Sequence, residues 1–300
     1  MDRRYFLQTL SALGLVPSTS GGMSIIDTIS KRSIPSTLEK LPAVGLGTWQ
    51  TFDVDQREDD RTPLKAVLQT LIDKGGTVVD SSPMYGNSEK VVGDLSAELG
   101  LNNKLFIATK VWTRGEQEGI QQMSNSFALL QRKKIDLMQI HNLVDWQTHL
   151  KTLREWKEQG KIRYIGVTHY TESAYDSIEE ILKSTPLDFL QINYSMLSRR
   201  AEERLFPLAQ EKKVAVIINQ PFEEGALFNR VKGKTIPEWA EEFDCNSWGQ
   251  FFLKFILSHP AITCVIPGTS KPHHMLDNLG AAFGKLPTKA HRDQMLKLIG

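Results

Sequence analysis

Cysteine is almost absent from this 300-residue chain: Cys245 and Cys264 stand alone, with no Cys-x-x-Cys pair and no nearby histidines at zinc spacing. That pattern argues against a metal site, and both read as buried packing residues. An excess of charge is also missing, since 36 Lys+Arg face 35 Asp+Glu for a formal net charge of +1. Neither sign forms a long block, which argues against nucleic acid or acidic surfaces as partners. No segment approaches the roughly 18 apolar residues needed to cross a bilayer, so stable membrane insertion is not expected. The dinucleotide fingerprint Gly-x-Gly-x-x-Gly is lacking too, because Gly45-Leu46-Gly47 runs on into Thr48-Trp49, and this disfavours a Rossmann domain. There is no low-complexity tract and no sequence repeat.

What is present begins with an N-terminus unlike the rest. Arg3-Arg4-Tyr5-Phe6-Leu7 leads into the mostly apolar stretch Thr9 to Val16 and then Pro17 to Gly22. This is similar to a twin-arginine export signal, although no Ala-x-Ala cleavage site follows. Residues 1–35 are therefore expected to be a leader or flexible arm. The leader implies periplasmic export, and a plain arm on a cytoplasmic protein is the alternative. The twin-arginine route carries folded proteins, which suits an enzyme exported with its cofactor bound.

From residue 36 to 300, short apolar runs rich in branched residues alternate with segments of helical periodicity. The strand candidates are Val44–Trp49, Thr77–Asp80, Leu105–Lys110, Ile135–His141, Ile162–Thr168, Phe189–Ile192, Val214–Asn219 and Ile262–Pro267. Between them lie helix candidates at Pro63–Lys74, Ser88–Leu99, Gln147–Gln159, Glu172–Lys183, Ala201–Lys212, Ser247–Ser258 and His273–Ala282, with Asn87, Thr171 and Pro63 as start signals. Eight strand–helix repeats in about 250 residues predict a single-domain α/β fold, the (β/α)8 TIM barrel.

Active sites of such barrels are assembled at the carboxyl ends of the strands. Three consecutive predicted strands close on an ionisable residue: Asp80, Lys110 and His141, with Tyr85 in the loop after Asp80. Singly, each reads as a loop or packing residue; together they form a coherent set. A phenol with a reference pKa of about 10 needs positive charge nearby to exchange its proton near neutrality. Lys110 can supply that charge, Asp80 can hold Lys110, and a neutral His141 can polarise a carbonyl.

Gly45-Leu-Gly-Thr-Trp49, Asp80-Ser-Ser-Pro-Met-Tyr85-Gly-Asn-Ser-Glu89, Ala108-Thr-Lys-Val-Trp112 and Ile135-Asp-Leu-Met-Gln-Ile-His141 together resemble the aldo-keto reductase family over the whole chain after the leader. The resemblance implies reduction of an aldehyde or ketone by hydride transfer from a nicotinamide, NADP or alternatively NAD, with Tyr85 as general acid in a tetrad with Asp80, Lys110 and His141. It implies that Thr168, His169 and Gln191 meet the nicotinamide carboxamide, with Asn219 and Pro221 where an aromatic residue often stacks. It further implies that Thr269, Ser270, Asp277 and Asn278 hold the adenosine end. Gly268 and His274 replace two residues often basic in the family, and Lys271 is the candidate compensation toward NADP. Trp49, Met84 and Trp112, with Trp146 as a further candidate, are expected to line a pocket for a small apolar or aromatic carbonyl. The chain ends soon after its last helical stretch, which leads us to expect an open site, and a monomer or weak oligomer is expected. Two rival readings are a non-catalytic, cofactor-binding sensor on the same barrel, and a barrel aldolase or isomerase in which Lys110 forms a Schiff base.

Overall fold

The structure, a computed structural model, describes residues 28–300; the twin-arginine-like motif lies outside the described residues. An antiparallel hairpin comes first, β1 (Lys31–Ser33) and β2 (Lys40–Pro42). Eight parallel strands follow: β3 (Leu46–Gly47), β4 (Val78–Asp80), β5 (Phe106–Val111), β6 (Ile135–His141), β7 (Ile162–Thr168), β8 (Phe189–Asn193), β9 (Ala215–Asn219) and β10 (Ile262–Val265). They pair in sequence order, and bridges Val44↔Val265 and Gly47↔Gly268 bring the first against the last. Helices α1 (Glu58–Asp73), α2 (Ser88–Glu98), α3 (Glu116–Leu129), α4 (Trp146–Glu158), α5 (Tyr175–Ser184), α6 (Leu205–Glu211), α7 (Ala226–Arg230), α8 (Trp248–Leu257), α9 (Pro272–Gly280) and α10 (Lys289–Ile299) surround them. This is the expected (β/α)8 barrel. Among the described residues, no helix is long and apolar enough to cross a membrane.

Closure is tight where β3 meets β10. A Cβ on Gly47 would stand 2.8 Å from the Ile266 carbonyl oxygen, so only glycine lets the two strands approach this closely.

Alternation along each strand separates two cores. Val78, Phe106, Ala108, Leu137, Tyr164, Phe189, Ala215, Ile217 and Cys264 fill the barrel interior, while residues such as Val79, Ile107, Met138, Ile140, Val167 and Leu190 pack outward under the helices. Moving up two residues at a time from the interior set reaches Asp80, Lys110, Gln139 and then His141, Thr168, Gln191 and Asn219. The period of two thus converts an apolar floor into a polar upper layer.

The hairpin plugs the opposite end, with Ile34 and Leu41 buried in the interior cluster. Its Arg32 donates to the backbone carbonyls of Leu257, His259 and Ile262, which places a cation at the carboxyl end of α8. Residues 31–34 are thus part of this plug, although the sequence placed them in the leader segment.

Several helix limits depart from the sequence pattern. α1 starts at Glu58, not Pro63, because Glu58, Asp59 and Asp60 fill a first turn that favours negative charge; Pro63 is accommodated inside. Neither Asn87 nor Thr171 makes a side-chain cap, whereas Ser247 and Thr288 do. The periodicity does not single out α3, whose buried positions are Gly119, Met123 and Ser126, with no apolar stripe to read.

Truncating Ile34 to Ala opens a hole in the plug, and we expect a loss of about 2–5 kcal/mol in the unfolding free energy by urea titration. A loss under about 0.5 kcal/mol, typical of exposed positions, would show that the hairpin does not share the barrel core.

Candidate active site

Asp80 closes β4 with its carboxylate almost wholly buried, an arrangement tolerated only if the charge is paired and hydrogen-bonded. Lys110, two residues above Ala108 on the neighbouring strand and fully buried, donates to Asp80 Oδ2 at 2.6 Å and to the Ser81 carbonyl at 2.7 Å. The other carboxylate oxygen accepts from Gln191 Nε2 at 2.8 Å and from Gln139 Nε2 at 3.2 Å. Burial alone would lower the Lys110 pKa, but its contacts with the Asp80 carboxylate first, and with Tyr85, outweigh it and hold the ammonium above its ordinary value.

Tyr85 follows in a turn pinned from outside. The Asn87 N–H donates to Asp53 Oδ1 at 2.8 Å, and Gly86 adopts φ +56° with the Asp53 carboxylate where a Cβ would be. The Tyr85 ring is half-buried, with Lys110 Nζ 5.0 Å from its centroid. Desolvation raises the Tyr85 pKa, and the nearby Lys110 charge only partly offsets it. Lys110 thus acts on the phenol in the expected direction, but the net shift is upward. Burial prevails, and the phenol stays protonated at neutral pH.

His141 closes β6 with its ring 5.9 Å from that of Tyr85, edge to face, and 6.4 Å from Trp112. Burial first, then the Lys110 charge, push its pKa down to about 2, so the imidazole is neutral. Ser82 Oγ lies 3.1 Å from Nδ1 and accepts from the Met84 N–H. When Ser82 donates to Nδ1, Nε2 carries the hydrogen, which makes His141 a neutral donor.

Trp49, Met84 and Trp112 are exposed at 41%, 38% and 41%, unusual for large apolar side chains, and come from three different strand-end loops. Trp112 is held by its backbone: its N–H donates to Gln122 Oε1 and its carbonyl accepts from Gln122 Nε2. Trp146 packs, half-buried, against the outer core.

The residues expected to meet the cofactor divide into two groups. Thr168 Oγ1 donates to Gln191 Oε1 at 3.0 Å, so both are tied into the Asp80 network. His169 Nδ1 accepts from the backbone N–H groups of Tyr170 and Thr171, which leaves its Nε2 as the N–H. Asn219 Nδ2 donates to the His169 carbonyl, while its buried Oδ1 has no partner. Pro221 is buried beneath this turn. Farther out, the Gly47↔Gly268 bridge sets the next loop beside the mouth, with Gly268, Ser270, Lys271 and His274 exposed. Thr269 Oγ1 accepts from the Lys271 N–H just before α9. Asp277 instead accepts from Ser247 and Gln250 at the start of α8, and Asn278 is buried. A groove of about 870 Å³ lies away from this mouth, lined by Lys31, Lys74, Gln250, Leu279 and Phe283, and takes in none of the residues expected to meet the cofactor.

Sequence reasoning missed Gln139, Ser82 and Asp53. Gln139 could have been found, since it stands two residues before His141 and must share its face of β6; Asp53 has no signal outside the folded turn.

The model of the aldo/keto reductase family matches residues 43–294. The chain is 29% identical over 247 residues to the methylglyoxal reductase YeaE of Escherichia coli (strain K12), covering 79% of this chain and 84% of that protein. It is 28% identical over 227 residues to the aldo-keto reductase YhdN of Bacillus subtilis (strain 168), covering 71% of this chain and 66% of that protein. Among solved structures, an aldo-keto reductase from Klebsiella pneumoniae in complex with NADPH superposes with a TM-score of 0.73 at 23% identity, over 91% of this chain and 96% of that one.

A neutral His141 has consequences for pH. Its folded pKa lies below the unfolded value of 6.5, so only the unfolded chain takes up a proton as the pH falls through that value, and stability declines there. We expect the His141 ring resonances to stay unshifted between about pH 8 and 5, the window in which an ordinary histidine titrates. A midpoint near 6.5 would overturn the neutral assignment.

Proposed function

Because this chain belongs to the aldo/keto reductase family, we propose that it reduces small apolar or aromatic aldehydes and ketones to alcohols with NADPH, Tyr85 giving the proton. One observation carries the reading: the phenol of Tyr85 stands beside a buried, charged Lys110–Asp80 pair and a neutral His141. Bound nicotinamide would supply the hydride that reduces the carbonyl carbon. His141 donates a hydrogen bond to the carbonyl oxygen and orients it. Tyr85 donates its phenolic proton to that oxygen, and the Lys110 ammonium steadies the negative charge that develops on the phenol. A lysine kept charged is a poor amine nucleophile, which argues against the Schiff-base alternative.

The residues present fit a nicotinamide cofactor. The buried, unpartnered Asn219 Oδ1 offers an acceptor, and the His169 Nε2–H a donor, to a carboxamide. Lys271, exposed before α9, is the basic group suited to an extra ribose phosphate. The NADPH complex of the Klebsiella pneumoniae neighbour supports this choice, while an NADH-specific methylglyoxal reductase of Escherichia coli (strain K12) among the relatives keeps NADH in view. The fixed Trp112 and the exposed Trp49 and Met84 favour flat, apolar substrates. The Arg3-Arg4 leader supports periplasmic export as part of this proposal.

Tyr85→Phe removes the proton donor, and kcat for a carbonyl panel should fall by about 100-fold to 10,000-fold. NADPH affinity by fluorescence titration should be unchanged; near-wild-type turnover would refute Tyr85 as the acid. Lys271→Met should weaken NADPH binding by about tenfold, the equivalent of one charge-assisted hydrogen bond, and leave NADH binding alone. Equal effects on both nucleotides would remove Lys271 from the phosphate site.

A further inference from the structure

We propose that Gln139 is a positioning residue of the proton-transfer machinery, one arm of a two-amide clamp that fixes the Asp80 carboxylate so that its other oxygen holds Lys110. The proposal rests on the reductase reading above for its effect on turnover.

The clamp is asymmetric. Both amides reach Asp80 Oδ1, Gln191 from β8 at 2.8 Å and Gln139 from β6 at 3.2 Å, which leaves Oδ2 to Lys110 at 2.6 Å. Gln191 also accepts from Thr168 and so belongs to the turn expected to meet the cofactor. Gln139 has no such second duty. It is fully buried, and among the described residues its Oε1 has no partner and its only side-chain hydrogen bond is the one to Asp80. A glutamine that leaves one buried polar atom unpaired costs free energy that an apolar side chain would not. It lies against Gly166 of β7, where a Cβ would stand 3.2 Å from Gln139 Cγ and nearer still, at 2.9 Å, to the Phe189 carbonyl oxygen. A costly group that spends its single side-chain bond on the carboxylate that holds Lys110 points to a role in Lys110's charge.

The charged and titratable groups facing Lys110 are Asp80 on β4, Tyr85 in the turn beyond it, Glu89 on α2 and His141 on β6; Cys264 on β10 faces Asp80. Asp80 and Tyr85 raise the Lys110 pKa, so the ammonium persists until the pH climbs past that raised value. Loosening the carboxylate weakens this support, and Lys110 should then lose its proton at lower pH.

The test uses Gln139→Met, of similar length with no donor, and Gln139→Leu as a second packing. The pH midpoint of Lys110 is read without turnover from its ε-carbon resonance, assigned with Lys110→Arg. We expect the midpoint to move down and the alkaline limb of kcat to move with it. At neutral pH kcat should fall about tenfold while KM for the carbonyl and NADPH affinity stay put, as for a group that acts through orientation. Gln191→Met should give the same shift together with weaker NADPH binding. A purely packing role would lower thermal stability and leave both the Lys110 midpoint and the alkaline limb where they are, and that result overturns the proposal. If the wild-type protein reduces no carbonyl, the reductase reading falls, and the Lys110 resonance still decides the clamp.

Discussion

The buried ion pair between Asp80 and Lys110 is the constraint on which the upper half of this barrel depends. Lys110 is fully and Asp80 almost fully buried, and two charges withdrawn from water are tolerated only when they are well paired and hydrogen-bonded. Hence Lys110 also reaches the Ser81 carbonyl, and hence two glutamines from strands two and four places away along the sheet turn inward to the same carboxylate. The polar layer is thereby a single hydrogen-bonded unit running from Thr168 through Gln191 and Asp80 to Lys110, with Tyr85 over its end.

That unit needs a stiff frame, and the rest of the architecture supplies it. Below lies the apolar interior, closed underneath by Ile34 and Leu41. Above, the loops are latched to one another: Asp53 to the Tyr85 turn, Gln122 to Trp112, and Asp145 to the Gly115 N–H. The backbone just after His141 shows the cost of such exact placement, since Asn142, Leu143 and Asp145 all adopt left-handed conformations that non-glycine residues rarely hold. Surrounding hydrogen bonds keep them there, including Asn142 N–H to the Thr168 carbonyl.

The electrostatics follow from the same arrangement. One buried cation beside three polarisable groups sorts them into roles: it helps force His141 neutral, it opposes without reversing the upward drift of Tyr85, and its own charge is preserved by Asp80. Environment, more than residue type, sets the protonation state of each.

The sequence by itself determined the barrel and the gathering of Asp80, Lys110 and His141 at its mouth. Eight branched apolar runs can only be buried on both faces, which means a parallel sheet, and a side-chain period of two puts Asp80, Lys110 and His141 on the inward face at the strand ends. It also placed the family motifs along the chain. What it could not determine lay in contacts between residues far apart in sequence. The hairpin plug is too short to carry a period, α3 lacks an apolar stripe, and Asp53 meets Asn87 only once two loops are folded side by side. The direction of the Tyr85 shift and the meeting of Gln139 with Gln191 on one oxygen were decided only by tertiary structure. Desolvation and hydrogen-bond partners are properties of the packed interior, not of any segment of the chain.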